Sequence, residues 1–533
     1  MNPITSTGSG SCGGVAFVGA GPGDENLLTL RGAHLLALAD VVVVGGFAAE
    51  PFLRHCGPDV EVVDAADLEP AERDTLVTAA AKDGKFVVRL FAGDPGLFCR
   101  VTEEAAACAQ AGVPFEIVPG VSSAVAVPEY AGIPLGSARS GGVRVVDAGY
   151  ADWSAIAAGG ASGSETLVIL GGEESFGEMV KALVAGGRPE DTPVAVTSRG
   201  TTTEQATVVS TLGRLSADVK SAGGVSAPAV TVVGDVVSTR EDLSWFETKP
   251  LFGWQVLVPR TKEQSASLSD QLRSYGAVPE LVPTISVEPP RTPQQMERAV
   301  RGLVTGRYQW VAFTSANAVR AVREKFEEYG LDARAFAGVK LAAVGEQTAA
   351  ALRAFGVRPD LVPARQQSSE GLLEVWPPYD ATLDPIDRVL LPRADIATDT
   401  LVAGLQKLGW EVDDVTAYRT VRAAPPPAPT REAIKGGGFD AVLFTSSSTV
   451  RNLVGIAGKP HPVTVIAVIG PQTARTAEEY GLRVDVKAPK ASVTALAAAL
   501  AEYGADQRAA ALRAGEPVLR PSARRRGARR RVK

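Results

Sequence analysis

Hydroxyl and amide side chains stand in this sequence in two matched sets. Phe313-Thr-Ser-Ala-Asn-Ala-Val-Arg320 returns as Phe444-Thr-Ser-Ser-Ser-Thr-Val-Arg451, each copy directly after an apolar run. Gly345-Glu-Gln-Thr348 returns as Gly470-Pro-Gln-Thr473, and Val256-Leu-Val-Pro-Arg260 as Val389-Leu-Leu-Pro-Arg393. An apolar run, then Thr-Ser, then a helix-competent segment reads as strand, turn and helix start. At such a start the hydroxyls cap the first turn and the free N–H groups carry partial positive charge, so a carboxylate or phosphate binds there without a lysine. Capping alone explains either copy taken singly. Recurrence of the whole ordered set points instead to two similar lobes facing one another across a cleft, and to a small ligand with several anionic arms. Thr314, Ser315, Asn317 and Thr348 would line one side and Thr445, Ser446, Ser448 and Thr473 the other, with Arg260 and Arg393 adding charge.

Composition sets the outer limits. A chain of 533 residues is too long for one core, and its 45% apolar and 21% charged content is that of ordinary globular domains. Cys12, Cys56, Cys99 and Cys108 form no CxxC or metal spacing, and His34, His55 and His461 lie apart. That pattern argues against a zinc site and against a Ser-His-Asp triad. Met1 to Gly14 has neither the basic start nor the apolar centre of a signal peptide and reads as disordered; no apolar run reaches membrane length. A cytoplasmic location with no membrane partner is expected. Arg520 to Lys533 carries eight basic residues and no acidic ones; setting it aside from the formal charge of −6 leaves −14 on the rest. The stretch 504–533 reads as a basic, solvated tail, and the acidic body argues against nucleic acid as the main partner.

The first half must supply a second kind of site. Val15–Val18, Asp40–Val44, Phe86–Leu90, Phe115–Val118, Thr166–Leu170, Pro193–Val196 and Ala229–Val233 read as strands. Helical stretches alternate with them, the first over Glu25–Ala39, which is an α/β pattern. Gly8-Ser-Gly-Ser-Cys-Gly13 has the letters of a dinucleotide fingerprint but precedes the first strand, so it fails the context that motif requires. The loops Gly19–Asp24, Ala92–Pro95 and Pro119–Ser123 follow strands directly, where ligands of open α/β sheets bind.

These pieces carry a resemblance. Val18-Gly-Ala-Gly-Pro-Gly-Asp24, Arg89-Leu-Phe-Ala-Gly-Asp-Pro95, Gly112-Val-Pro-Phe-Glu-Ile-Val-Pro-Gly-Val-Ser-Ser123, Tyr130-Ala-Gly-Ile-Pro134, Arg199-Gly-Thr-Thr202 with Gln205, and the run Pro228–Val237 resemble the tetrapyrrole (corrin/porphyrin) methylases, in particular uroporphyrinogen-III C-methyltransferases. Over residues 15–240 the resemblance implies two α/β lobes with S-adenosylmethionine between them, held by Pro22, Gly93, Asp94, Leu97, Ser122, Ser123 and Gly200. The sequence departs from the family at Val44-Gly-Gly-Phe47, where an acidic residue is usual, and at Leu170-Gly171, where a Tyr-Met pair is usual.

Residues 254–503, with the duplicated sets, Ser368-Ser-Glu-Gly-Leu372 and Ala417-Tyr-Arg-Thr420, resemble uroporphyrinogen-III synthases. That implies two α/β lobes, about 254–283 with 421–503 and about 284–420, joined by a two-strand hinge. It also implies cyclisation of hydroxymethylbilane to uroporphyrinogen III with inversion of the last ring, and no cofactor for this half. Tyr418 is the expected proton donor to the leaving hydroxyl, with plain packing at the hinge as the alternative. Residues 241–253 read as a linker, and a homodimer through the methylase-like half is expected. Three functions stay open at this point. One is a fused tetrapyrrole enzyme; another is a synthase whose methylase-like half is only a scaffold; the third and most distant is a two-lobed binding protein.

Overall fold

Valine-rich runs build the first sheet. β1 (Val15–Gly19), β2 (Val41–Val44), β3 (Glu61–Asp64), β4 (Val87–Phe91) and β5 (Phe115–Val118) lie in the order β3-β2-β4-β1-β5, every pair parallel. The three central strands are buried along their whole length, as expected where helices cover both faces. Ala16 and Val18 pack on Leu35, Leu36 and Phe52, whereas Val15 and Phe17 pack on Val77, Ala81 and Cys108. The helix expected over Glu25–Ala39 is broken in two. Asp24 caps a 3-10 turn at Glu25–Leu27, and Thr29 caps a separate helix at Leu30–Leu38. The computed structural model describes residues 13–136, 141–159, 165–172 and 174–524. The Gly8–Gly13 motif, apart from Gly13, and the basic residues from Arg525 onward lie outside them.

A second sheet of the same unit holds β6 (Gly142–Asp147), β7 (Glu165–Leu170), β8 (Pro193–Ser198), β9 (Ala206–Thr211) and β10 (Ala229–Val233), in the order β6-β7-β10-β8-β9. β10 runs antiparallel to both of its neighbours. The chain forms two compact units, one of residues 1–254 with 272–278 and 501–518, the other of residues 255–271, 279–500 and 519–533.

The second unit starts with β11 (Gln255–Val258) and β12 (Val278–Leu281). The chain then leaves to build β13 (Ile285–Glu288), β14 (Trp310–Phe313), β15 (Lys340–Ala343), β16 (Arg388–Ala394) and the long β17 (Glu411–Arg422). It returns as β18 (Ala441–Phe444), β19 (Val465–Val468) and β20 (Val486–Lys487). The sheets are β12-β11-β18-β19-β20 and β13-β17-β16-β14-β15. Each apolar run that precedes a Thr-Ser pair is thus a fully buried central strand, β14 or β18.

Two segments differ from their sequence reading. Residues 241–253 are no free tether: Phe246 and Leu251 are buried, and the Phe246 ring packs on Tyr130 and Phe252 with centroids 4.7 and 5.3 Å apart. Trp245 and Phe246, aromatic residues in an otherwise polar stretch, pin it down against Tyr130. The supposed tail from 504 continues the helix Val493–Arg513, and further on the Ser522 N–H donates to the fully buried Asp440 carboxylate at 2.8 Å.

Candidate functional site

In the first unit, three loops at the carboxyl ends of the adjacent strands β4, β1 and β5 close on one another. Gly21 and Gly93 exchange backbone hydrogen bonds at 3.2 and 2.8 Å. A Cβ on Gly120 would lie 2.1 Å from the Gly93 carbonyl and 2.8 Å from the Gly19 Cα, so only glycine permits this approach. Asp94 stitches the loops: Oδ1 accepts from the Gly96 N–H at 2.8 Å and Oδ2 from the Gly120 N–H at 2.9 Å. Ser122 caps the helix Ser123–Tyr130 through the Ala124 N–H at 3.2 Å. Leu97 packs against the core cluster that includes Ala124 and Val127, and Phe98 beside it is exposed.

The loop after β8 meets this group from the second sheet. Thr201 Oγ1 accepts from the Asp24 N–H at 3.1 Å, and Gly200 lies so close to Val127 that a Cβ would fall 2.4 Å from its methyls. Pro22, Gly93, Asp94, Leu97, Ser122, Ser123 and Gly200 therefore belong to loops that the fold brings together within one unit. Three residues not expected among the cofactor contacts, Tyr130, Gln205 and Glu247, back these loops. Tyr130 Oη reaches Asp24 at 3.5 Å; burial, then the neighbouring Asp24 carboxylate, pushes its pKa up to about 12. Gln205 and Glu247 stand behind Thr201.

In the second unit the candidate residues sit at the carboxyl ends of parallel strands. β14 pairs with β15, so the helices Ala316–Glu328 and Glu346–Phe355 start at the same sheet edge. β18 pairs likewise with β19, which aligns the starts of Ser447–Ala457 and Pro471–Glu479. Ser315 caps the first of these helices through the Ala318 N–H at 3.1 Å, and Ser446 caps the third through the Thr449 N–H at 3.3 Å. Asn317 Oδ1 accepts from Arg320 at 3.0 Å, and Ser446 Oγ lies 2.8 Å from Ser448 Oγ. Tyr418, on β17 in register with Ala394 of β16, is buried and places its Oη 2.9 Å from Ser315 Oγ. Thr314 and Thr445 are half-buried.

Thr348 and Thr473 are more enclosed than expected for ligand donors, at 5% and 4% exposure, while Gln347 and Gln472 of the same turns are exposed. Ser447 and Thr476 tie two of the helix starts together, the Ser447 hydroxyl donating to the Gln472 carbonyl at 3.2 Å and Thr476 to Ser447 at 3.0 Å. Neither was visible as a site residue, because nothing local marks a hydroxyl that bridges two helices.

The two arginines of the repeated Leu-x-Pro-Arg element part company. Arg393 is buried and its guanidinium is occupied: Nε donates to Asp414 at 2.6 Å, and Nη2 to Asp414 and to Asp399, the latter at 3.1 Å. The expectation that Arg393 holds substrate is corrected; its charge is already neutralised by two carboxylates. Arg260, just past β11 and at the sheet edge of Ser446, is half-buried, and its guanidinium has no partner among the described residues. Burial lowers its pKa with nothing to offset the cost.

Residues 266–498 match the uroporphyrinogen-III synthase HemD family, and residues 14–216 match the tetrapyrrole (corrin/porphyrin) methylases. The porphyrin biosynthesis protein HemD of Ruminiclostridium josui is 32% identical over 515 residues, 92% of this chain and 98% of that protein. An S-adenosyl-L-methionine-dependent uroporphyrinogen III methyltransferase of Methanosarcina barkeri is 37% identical over 44% of this chain and 96% of its own length. Siroheme synthase 1 of Klebsiella pneumoniae is 41% identical over 44% of this chain, which spans about half, 51%, of that relative. Among the described residues no helix is long and apolar enough to cross a membrane.

Proposed function

The chain belongs to the porphyrin-biosynthesis HemD family, with a tetrapyrrole methylase domain ahead of a uroporphyrinogen-III synthase domain, and from that premise we propose two linked reactions. It is an enzyme of tetrapyrrole biosynthesis. In the synthase half, hydroxymethylbilane loses its hydroxyl as water, its last ring inverts and the macrocycle closes. Tyr418 supplies the proton that leaves with the hydroxyl, and the proton released on ring closure restores the phenol. Carboxylate arms are held by Thr314, Ser315, Asn317, Thr445, Ser446 and Ser448 and by the helix starts, with Thr348 and Thr473 supporting those turns. Arg260 supplies the positive charge. Rate enhancement comes mainly from folding the linear substrate into a near-closed shape.

The observation that carries this reading is the Tyr418–Ser315 pair at 2.9 Å, a phenol and a capping hydroxyl joined at a helix start, where an anionic arm and a leaving hydroxyl are both served. The half-buried Arg260, whose guanidinium has no partner among the described residues, supports it.

The methylase half takes S-adenosylmethionine, consistent with its methyltransferase relatives. The loops fit the group: a Cβ at Gly93 would meet only Ser123, its Oγ at 3.4 Å and its N at 3.8 Å, so the missing side chain leaves room beside a hydroxyl. Pro22, Gly93, Asp94, Leu97, Ser122, Ser123 and Gly200 would hold it. When bound, it supplies an electrophilic methyl group; two such transfers to uroporphyrinogen III would give precorrin-2 on the way to sirohaem or cobalamin. The protein works in the cytoplasm and pairs with a second copy through this half, for which the alternately exposed Phe115 and Ile117 of the edge strand β5 are the support.

A second reading, a synthase with a methylase-like scaffold, is favoured by Gly171, which stands where the resemblance leads one to expect the Tyr-Met pair and where a Cβ would meet nothing within 4 Å. One assay separates the readings. Purified protein receives hydroxymethylbilane with and without S-adenosylmethionine, and product isomer and mass are read. Isomer III with added methyl mass supports two reactions, isomer III without it supports the scaffold, and isomer I alone refutes the synthase.

A further inference from the structure

Two residues in the turn after β8 hold a backbone conformation that side chains with a Cβ resist. Arg199 has φ +46° and the β-branched Thr201 φ +65°, flanking Gly200. Such a turn persists only where its surroundings over-determine it. Here the outermost support comes from the segment that reads as a linker, through Glu247. Thr201 N–H donates to Gln205 Oε1 at 2.7 Å, and Gln205 Nε2 donates to the Tyr130 carbonyl at 3.1 Å and to Glu247 Oε1 at 2.9 Å. Both partners of that nitrogen only accept, so the Gln205 amide can face one way only, its oxygen toward Thr201. Glu247 is held in turn by Thr207 Oγ1 at 2.6 Å and by Arg240 Nη2 at 2.7 Å, and its side chain is 17% exposed. On the far side of the turn, Thr201 Oγ1 takes the Asp24 N–H, and a Cβ on Gly23 would fall 2.9 Å from Thr202 Cγ2.

We propose that Glu247 is a positioning residue of the methylase site: through Gln205 it holds the Arg199–Thr202 turn, and through Thr201 that turn sets the Gly21–Asp24 loop against which the cofactor rests. Residues 240–254 are then part of the methylase half and not a spacer between activities. The inference rests on the reading that this half binds S-adenosylmethionine.

The test is a calorimetric titration of the full chain with S-adenosylhomocysteine, with synthase turnover on the same samples as the measure of an intact fold. Glu247→Ala is expected to raise Kd about tenfold, the loss of a hydrogen-bonded charge. Glu247→Gln, which keeps an acceptor for Gln205, should stay within about threefold of the parent chain. Adding Arg199→Gly to Glu247→Ala should recover most of the loss, because glycine takes a positive φ unaided. A Kd for Glu247→Ala within about twofold of the parent overturns the proposal, as does failure of Arg199→Gly to recover affinity. An unmodified chain that binds no S-adenosylhomocysteine overturns the cofactor reading itself, and this proposal with it. Should Glu247→Ala not fold, Glu247→Asp, whose shorter side chain draws the carboxylate away from Gln205, carries the test by hydrogen exchange. Faster exchange at the Thr201 and Asp24 amides, with Ala16 and Val232 unmoved, supports the proposal; equal rates overturn it.

Discussion

Replacing Tyr418 by Phe separates the proton-donor role from a packing role by magnitude. The ring stays in place, buried at 7% exposure in the same core cluster as Phe313, Val415 and Ala417. Only the Oη–Ser315 Oγ hydrogen bond of 2.9 Å is lost, and Ser315 keeps its capping bond to the Ala318 N–H. A neutral hydrogen bond contributes about 1 kcal/mol, so the variant should fold, with a loss of stability near that figure. If the phenol protonates the leaving hydroxyl, the rate falls by about 100- to 10,000-fold, or ~3–5 kcal/mol of activation free energy. The two roles thus differ by more than an order of magnitude in rate at nearly equal stability. Rapid-quench conversion of fresh hydroxymethylbilane, with the isomers separated after oxidation, measures the rate; binding of uroporphyrinogen III measures whether the cleft is intact. A large fall in rate with product affinity unchanged is the expected result. Turnover equal to the parent chain would end the acid assignment and leave Tyr418 as a packing residue.

Three further outcomes follow from particular contacts. Arg260→Gln should raise KM for hydroxymethylbilane about tenfold while thermal unfolding shows equal or greater stability, because an uncompensated half-buried charge is removed; an unchanged KM would remove Arg260 from the site. Arg393→Ala should cost about 2 kcal/mol in denaturant unfolding, less than a fully buried pair because Asp399 and Asp414 are partly solvated, and move KM by less than about twofold; a large KM effect would restore it as a substrate ligand. Tyr130 is pushed up to about 12, above the value near 10 of an unfolded tyrosine, so its contribution to stability is complete below about pH 10 and is lost as pH rises toward about 12. In urea titrations across that range Tyr130→Phe should flatten the decline, and an identical slope in both chains would contradict the burial argument.

Much of the architecture was legible because it is written locally. Apolar runs such as Val41–Val44 and Ala441–Phe444 have no alternative to burial, and the helices behind Ser315 and Ser446 announce themselves by their capping hydroxyls. Loops that follow strands directly, Gly19–Asp24 and Pro119–Ser123 among them, are marked in the sequence by their glycines, and the fold brings them together. The break after Asp24 was missed, since two caps inside one apolar stretch carry no periodic signal.

By itself, then, the sequence determined the doubled lobe pattern, the central strands and the hydroxyl-bearing helix starts, all products of neighbours in the chain. Tertiary structure alone decided which of two identical Pro-Arg elements would be free. Asp414, twenty-one positions from Arg393 along the chain, is brought beside it by the parallel pairing of β16 and β17, whereas among the described residues no carboxylate pairs with Arg260. It alone joined Tyr418 to Ser315 across 103 residues and Glu247 to Gln205 across 42. Charge neutralisation and amide orientation depend on which groups topology delivers within about 3 Å, a distance over which spacing along the chain has no say.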